Sequence, residues 1–253
     1  MKIAGIETEI VERGTGRPLL FLHPEIGLDP NAPFIAKLAE RFRVVAPSHP
    51  GFGHSALPKG FGVDDLAYFY LDLIETLDLR DIVLVGVTFG GWIAAEIATK
   101  STERISHLVL ANPVGIKTGG REHSDLADIF GLTQAELDER SFHDPSIAAF
   151  DPKAASEDEV FVRLRNRESA ALFAWSPYMH NPKLAARLHR VRVPSLVLWG
   201  ESDRIAPIDY GRAFAATLPD ARFEPVAKSG RYPHLEQPEL FARRIADFAA
   251  SNR

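Results

Sequence analysis

At 253 residues and 45% hydrophobic content, the chain is long enough to bury one sizeable core and a tight fit for two independent domains. Its 34 acidic and 29 basic residues are interspersed and leave a net charge of −5 without a basic stripe, which argues against a nucleic-acid partner and for small-molecule chemistry. The absence of cysteine excludes disulfides and thiolate chemistry; with no secretion-type start at Met1-Lys2-Ile3-Ala4-Gly5 and no apolar run near the roughly 18 residues that span a bilayer, a soluble cytoplasmic protein with no membrane partner is expected.

From Lys2 to Arg13 apolar and polar residues alternate, and Gly14-Thr15-Gly16 turns the chain toward the apolar run Pro18 to Leu22. This predicts an antiparallel edge hairpin. A helix is predicted over Ala32 to Arg41, a strand over Phe42 to Ala46, a helix over Val63 to Leu79 and a strand over Ile82 to Gly86. The next helix spans Phe89 to Lys100 and the next strand His107 to Ala111. Between Gly115 and Arg192 the rhythm breaks, leaving charged and aromatic helical segments punctuated by Gly119-Gly120, Pro145, Pro152 and Pro177. The alternation then resumes with a strand at Ser195 to Gly200, a helix at Ile208 to Leu218, a strand at Arg222 to Val226 and a helix at Pro238 to Ser251.

Such alternation is the mark of a mostly parallel central sheet with helices on both faces, here with an antiparallel N-terminal edge. Residues 1–115 and 193–253 form the expected core, and residues 116–192 an inserted helical cap. Insertions at the carboxyl ends of parallel strands roof the ligand site; a helical layer without a ligand role is the alternative. Within the insert, Phe173-Ala174-Trp175-Ser176-Pro177-Tyr178-Met179-His180 concentrates large side chains beside a proline break. Trp175 and Tyr178 are therefore the candidate pocket roof, with ordinary core as the competing reading.

The strand at Ile82 runs through Gly86-Val87-Thr88-Phe89-Gly90-Gly91 into the helix carrying Trp92-Ile93-Ala94-Ala95. That is the frame of a nucleophile elbow, a sharp strand-to-helix turn that exposes its central hydroxyl, with glycines two before and two after it. Further stretches agree with it. Phe21-Leu22-His23 ends a strand, Ala46-Pro47-Ser48-His49-Pro50-Gly51-Phe52-Gly53-His54-Ser55 makes a turn, and Leu198-Trp199-Gly200-Glu201-Ser202-Asp203 ends another strand. Near the C-terminus comes Ser229-Gly230-Arg231-Tyr232-Pro233-His234-Leu235-Glu236-Gln237-Pro238. Over nearly its full length the chain resembles the α/β-hydrolase superfamily. The resemblance implies the order nucleophile, acid, base along the chain.

It also exposes departures. Thr88 stands where the family usually has serine, and its extra methyl must fit a turn that disfavours β-branched residues. The family's base histidine position holds Arg231, a guanidinium that keeps its proton at neutral pH and cannot readily accept one. Asp203 retains the acid position, so Arg231 is expected to pair with it, either as a buried tie or as an anion-binding group on the pocket floor. His234, three residues further on, is the candidate to rescue catalysis as a base, against a structural role. By resemblance, the backbone N–H groups of Glu25 and Phe89 are the oxyanion donors, and His23 supports that loop beside the substrate pocket. Pro24 could re-aim the loop, and an inward Glu25 would discourage an oxyanion.

The expectation is thus a small-molecule enzyme with an altered triad of Thr88, Asp203 and Arg231, cleaving an ester, acyl or C–C bond. A non-hydrolytic lyase, cyclase or isomerase, a ligand-binding protein, or a serine hydrolase inactivated by substitution are the alternatives. A small organic substrate or ligand is the expected partner, and homo-oligomerisation is left open. No cofactor is implied, and no metal site or phosphate loop is read from the residue spacing.

Overall fold

A computed structural model describes residues 1–120 and 122–251. The chain opens with β1 (Lys2–Ile3) and β2 (Ile6–Glu7), a small separate hairpin turned at Ala4 and Gly5, both at positive φ. β3 (Ile10–Arg13), β4 (Pro18–Leu22), β5 (Arg43–Pro47), β6 (Ile82–Val87), β7 (Ile105–Ala111), β8 (Ser195–Gly200) and β9 (Ala221–Val226) build a seven-stranded sheet. Its order is β3-β5-β4-β6-β7-β8-β9, parallel throughout except for β3.

The expected hairpin between β3 and β4 does not form. β3 pairs antiparallel with β5, Ile10 opposite Pro47 and Arg13 opposite Val44, while β4 lies between β5 and β6. Burial explains the choice: Leu19, Leu20, Phe21 and Leu22 are fully buried, which requires cover on both faces of an interior strand. β3 ends in the exposed Glu12 and Arg13, a pattern that suits an edge.

Strand alternation divides the apolar side chains between two layers. On one face Leu20, Leu22, Leu84, Leu108 and Leu110 pack under helices that include α2 (Val63–Thr76) and α3 (Phe89–Lys100). On the other, Leu19, Phe21, Val83, Val85 and Val109 pack under α1 (Pro33–Ala39) and the C-terminal α9 (Pro238–Ala250).

Residues 116–192 contribute α4 (Gln134–Ser141), α5 (Glu157–Ala174) and α6 (Leu184–Arg187) and, among the described residues, no strand. α7 (Ile208–Ala216) and α8 (Pro233–Glu236) follow in the rest of the chain. Both α4 and α5 begin with capping boxes, Thr133 with Glu136 and Ser156 with Glu159, so their starts are set by local sequence. α5 is tied to the loops that leave the carboxyl ends of β4 and β5. Asn166 donates to the carbonyl of Ile26 at 3.0 Å and accepts from the N–H of Gly53 at 2.9 Å, and the Ser169 hydroxyl donates to Gly51 at 2.6 Å.

Candidate active site

The turn between β6 and α3 puts Thr88 at φ 47°, ψ −105°, backbone geometry that a β-branched residue avoids. Holding a residue there costs about 1–3 kcal/mol. Thr88 N–H donates to Ala111 at 2.9 Å, and its carbonyl accepts from Trp92 at 3.1 Å. The flanking glycines are sterically required: a Cβ on Gly86 would strike the carbonyl of Gly90, and one on Gly90 the carbonyls of Leu22 and His23.

The Glu25 carboxylate points into this turn. The Thr88 hydroxyl donates to its Oε2, as does the Phe89 N–H in a long 3.4 Å contact. Arg231 Nε donates to Oε1 at 2.8 Å, and the Tyr232 hydroxyl donates to the same oxygen at 3.1 Å. Glu25 and Arg231 are both buried, at 5% and 0% exposure. Burial is the largest influence on the Glu25 carboxyl and pushes its pKa up. The guanidinium of Arg231, the Thr88 hydroxyl and Glu25's own N–H outweigh it and hold the group below its ordinary value. Burial likewise opposes the charge of Arg231, and Glu25 foremost among its neighbours reverses that, raising its pKa. The pair is ionised, and Arg231 is no base.

The expected pairing of Arg231 with Asp203 is present, Nη1 to Oδ2 at 3.9 Å, and Glu25 is a second, closer partner that was not expected. Asp203 takes its hydrogen bonds locally. Its Oδ1 accepts from the N–H groups of Ile205 and Ala206 at 2.9 and 3.0 Å, and its Oδ2 from the Asn112 amide at 2.8 Å. Burial raises its pKa, opposed mainly by Arg231. Two Arg231 nitrogens, Nη1 and Nη2, have no hydrogen-bond partner.

His234 does not fill the base role. Its ring packs 4.9 Å from Phe34 and 6.0 Å from Phe241, its Nδ1 is without a hydrogen bond, and burial lowers its pKa to about 3. A neutral imidazole in an aromatic cluster is core. His23 is also structural. Its Nδ1 contacts the Pro24 carbonyl at 2.7 Å, its Nε2 accepts from the His49 N–H at 2.9 Å, and burial lowers its pKa to about 4. It braces the loop carrying Glu25 and is wholly buried, not exposed to a pocket.

Trp175 does not face Thr88: it is 61% exposed and touches Phe130, with ring centroids 5.5 Å apart. Tyr178 spends its hydroxyl on the backbone of Ala127 and Ile129. Tyr178 feels the charges of Arg231 and Glu25, and Phe173 of the same run reaches the elbow, 6.1 Å from the ring of Phe89 and 6.3 Å from that of Phe52. Sequence reasoning missed Phe173, Tyr232 and Asn112. Asn112 had left a signal, being a lone asparagine at a strand end, where φ is positive at 45°. Among the described residues no group of His, Asp or Glu could hold a metal ion, and no helix is long and apolar enough to cross a membrane.

A strained strand-to-helix turn over a parallel sheet, with a buried acid in the loop after a later strand, defines the class. The chain belongs to the alpha/beta hydrolase family, whose model matches residues 19–244. It is 27% identical to a 2-hydroxymuconate semialdehyde hydrolase of Pseudomonas putida, across 98% of this chain and 92% of that protein. It is 28% identical to a 2-hydroxy-6-oxononadienedioate/2-hydroxy-6-oxononatrienedioate hydrolase of Paraburkholderia phymatum, across 82% of this chain and 76% of the relative. A solved meta-cleavage product hydrolase from Pseudomonas fluorescens superposes with a TM-score of 0.79 at 22% identity, covering 97% of this chain and 95% of that one, a likeness of fold.

Proposed function

We propose that the chain hydrolyses a small organic carbonyl compound at an ester, acyl or C–C bond, with Thr88 attacking and Glu25, in place of a histidine, accepting its proton. The observation that carries this is the succession Thr88–Glu25–Arg231: the hydroxyl donates to a carboxylate that a guanidinium anchors at 2.8 Å. A nucleophile, a base within hydrogen-bond reach and a group that orients the base are the parts that activate a weak hydroxyl. The strain retained at Thr88 supports a role for that residue, since packing alone gives no reason to hold threonine there.

In the reaction the Thr88 oxygen bonds to the carbonyl carbon as its proton passes to Glu25 Oε2. The carbonyl oxygen takes up negative charge toward the N–H groups of Phe89 and Glu25. The Phe89 N–H is held by Glu25 only at 3.4 Å, and protonation of the carboxylate weakens that hold at the moment the oxyanion forms. Glu25 then returns the proton to the leaving group, water repeats the sequence, and Arg231 stays charged throughout. α5, with residues 116–192 as a cap, closes the site through Phe173. The relatives' substrates, small oxygenated acids by their names, suit this class of chemistry. A carboxylate stabilised by a guanidinium is a weak base, so turnover is slow.

A second reading, non-hydrolytic chemistry or ligand binding alone, is favoured by one fact: the same carboxylate occupies both the acceptor position and the Phe89 N–H. A fluorophosphonate probe and an activated short-chain ester separate the two. Labelling at Thr88, with hydrolysis abolished by Glu25→Gln, supports the hydrolase. Absence of both, with thermal stabilisation by a small ligand and no product, supports the second reading.

A further inference from the structure

α5 has one buried side and, opposite it, an exposed apolar stripe. Its inner side, with Asn166, Ser169, Ala170, Phe173 and Ala174, is buried against the body of the protein. On its outer side Phe161, Leu164, Leu172 and Trp175 are 49%, 65%, 63% and 61% exposed. At about 100° per residue these four, with Glu168 between them, fall within an arc of roughly 80° directly opposite the buried side. They are four of the nine large hydrophobic residues that stand exposed among the described residues. The other exposed residues of the helix, Arg163 and Arg167 among them, are charged, and a contiguous apolar stripe left exposed between them marks an interaction surface.

The spacing identifies the partner. The stripe is palindromic about position 168: a two-fold axis there carries Leu164 onto Leu172 and Phe161 onto Trp175. We propose that the outer face of α5 is a self-association surface, on which a second copy of this chain packs its own α5 antiparallel through a two-fold axis near Glu168.

Three observations support this occupant. An isologous interface requires a patch that is complementary to itself, and a palindromic stripe meets that requirement without further adjustment. A groove of about 290 Å³ opens beside the stripe, lined by Phe161, Leu164, Leu57 and Gly51 among others. The two-fold axis sets Leu172 and Trp175 of the second copy across from Phe161 and Leu164, and so at this groove. The four side chains expose roughly 400–500 Å² of apolar surface per copy, about half of the ~800 Å² per partner in a standard interface, and Leu57 and the groove rim add to it. Because the inner side of α5 holds the loops of Ile26, Gly51 and Gly53, association also clamps α5 over the Thr88 turn.

The two Glu168 side chains meet at the axis, and their like charges oppose pairing. That yields a signature particular to a two-fold contact here. Sedimentation equilibrium of the full chain from roughly 1 to 100 µM is expected to resolve a dimer with a Kd of about 10 µM or tighter. Leu172→Glu should weaken it by at least about tenfold, and Glu168→Gln should tighten it by about threefold or more, both without change in the melting temperature measured well below the Kd, where the chain is monomeric. Trp92 and Trp199 are buried, so a concentration-dependent blue shift in tryptophan emission should come from Trp175 and disappear in Leu172→Glu. A chain monomeric at 100 µM overturns the proposal, as does a dimer indifferent to Leu172→Glu. A monomer that binds phosphatidylcholine vesicles through Trp175 overturns it too, assigning the stripe to a lipid surface.

Discussion

Replacing Arg231 with methionine removes the one cation from a buried cluster that holds two carboxylates. Glu25 loses the 2.8 Å contact to Nε, and Asp203 its 3.9 Å neighbour, while hydrogen bonds from Tyr232, Thr88 and Asn112 remain. Breaking a buried pair from one side typically costs about 3–5 kcal/mol. An independent limit comes from proton uptake, since an orphaned carboxylate can neutralise itself. Protonating a carboxyl of ordinary pKa 4.5 at pH 7 costs about 3.4 kcal/mol at 1.36 kcal/mol per unit, so the orphaned charge of Glu25 adds no more than that to the lost native pairing. At pH 5 the same limit is about 0.7 kcal/mol. The pH dependence comes from the variant: native Glu25, with its pKa depressed, is ionised across pH 5 to 8, whereas without the guanidinium burial raises its pKa above the unfolded value and the variant loses stability as pH rises. Arg231→Met should therefore lower the urea-unfolding free energy by about 3 kcal/mol or more at pH 8, and by far less at pH 5. In melting temperature the loss near neutral pH is roughly 6–20 °C for a domain of this size. Adding Glu25→Gln should recover a large part of it, because the second change removes the orphaned charge. An equal deficit at both pH values, or one below about 1 kcal/mol at pH 8, would refute the buried ion cluster as described.

Hydrolysis of an activated ester should be nearly flat from about pH 6 to 9 and fall only in acid, because Glu25 is already ionised; a rise centred near the histidine range, about 6.5, would point to an imidazole base instead. Glu25→Gln should reduce kcat by about 10²–10⁴-fold, and a loss of less than tenfold would remove Glu25 from the proton path. His234→Phe, a swap inside the cluster of Phe34 and Phe241, should leave kcat/KM within about twofold; a collapse of activity in a folded variant would restore His234 as a catalytic group. Thr88→Ser with Arg231→His should give esterase activity exceeding the product of the single gains, since nucleophile and imidazole act as a unit; additive gains would mean that Glu25 still blocks the Phe89 N–H.

The alternation of short apolar runs with helical periodicity was sufficient to read every strand from β5 to β9 within two residues, because burial on both faces of a parallel sheet demands continuous Val, Leu and Ile. The elbow was legible for a similar local reason: glycines at 86 and 90 bracket a hydroxyl between a strand and a helix, and each constraint acts over a few residues. Even the departures at Thr88 and Arg231 could be read directly, as chemistry missing from expected positions. Three matters lay beyond local pattern. β3 and β4 looked like a hairpin, and only the competition for interior places in the sheet put β5 between them. Trp175 looked like a pocket residue, but with large apolar side chains on both sides of the helix end periodicity cannot tell which side meets the core, and Phe173 took the inward side. The pairing of Arg231 with Asp203 was legible, but its closer partner was not, since Glu25 lies 206 residues away in the chain. The sequence by itself determined that a guanidinium had replaced a base and that a glutamate stood in the oxyanion loop. That the two would find each other was decided by the tertiary structure, because the pairing of buried charges depends on which side chains converge in space once the sheet has closed around them.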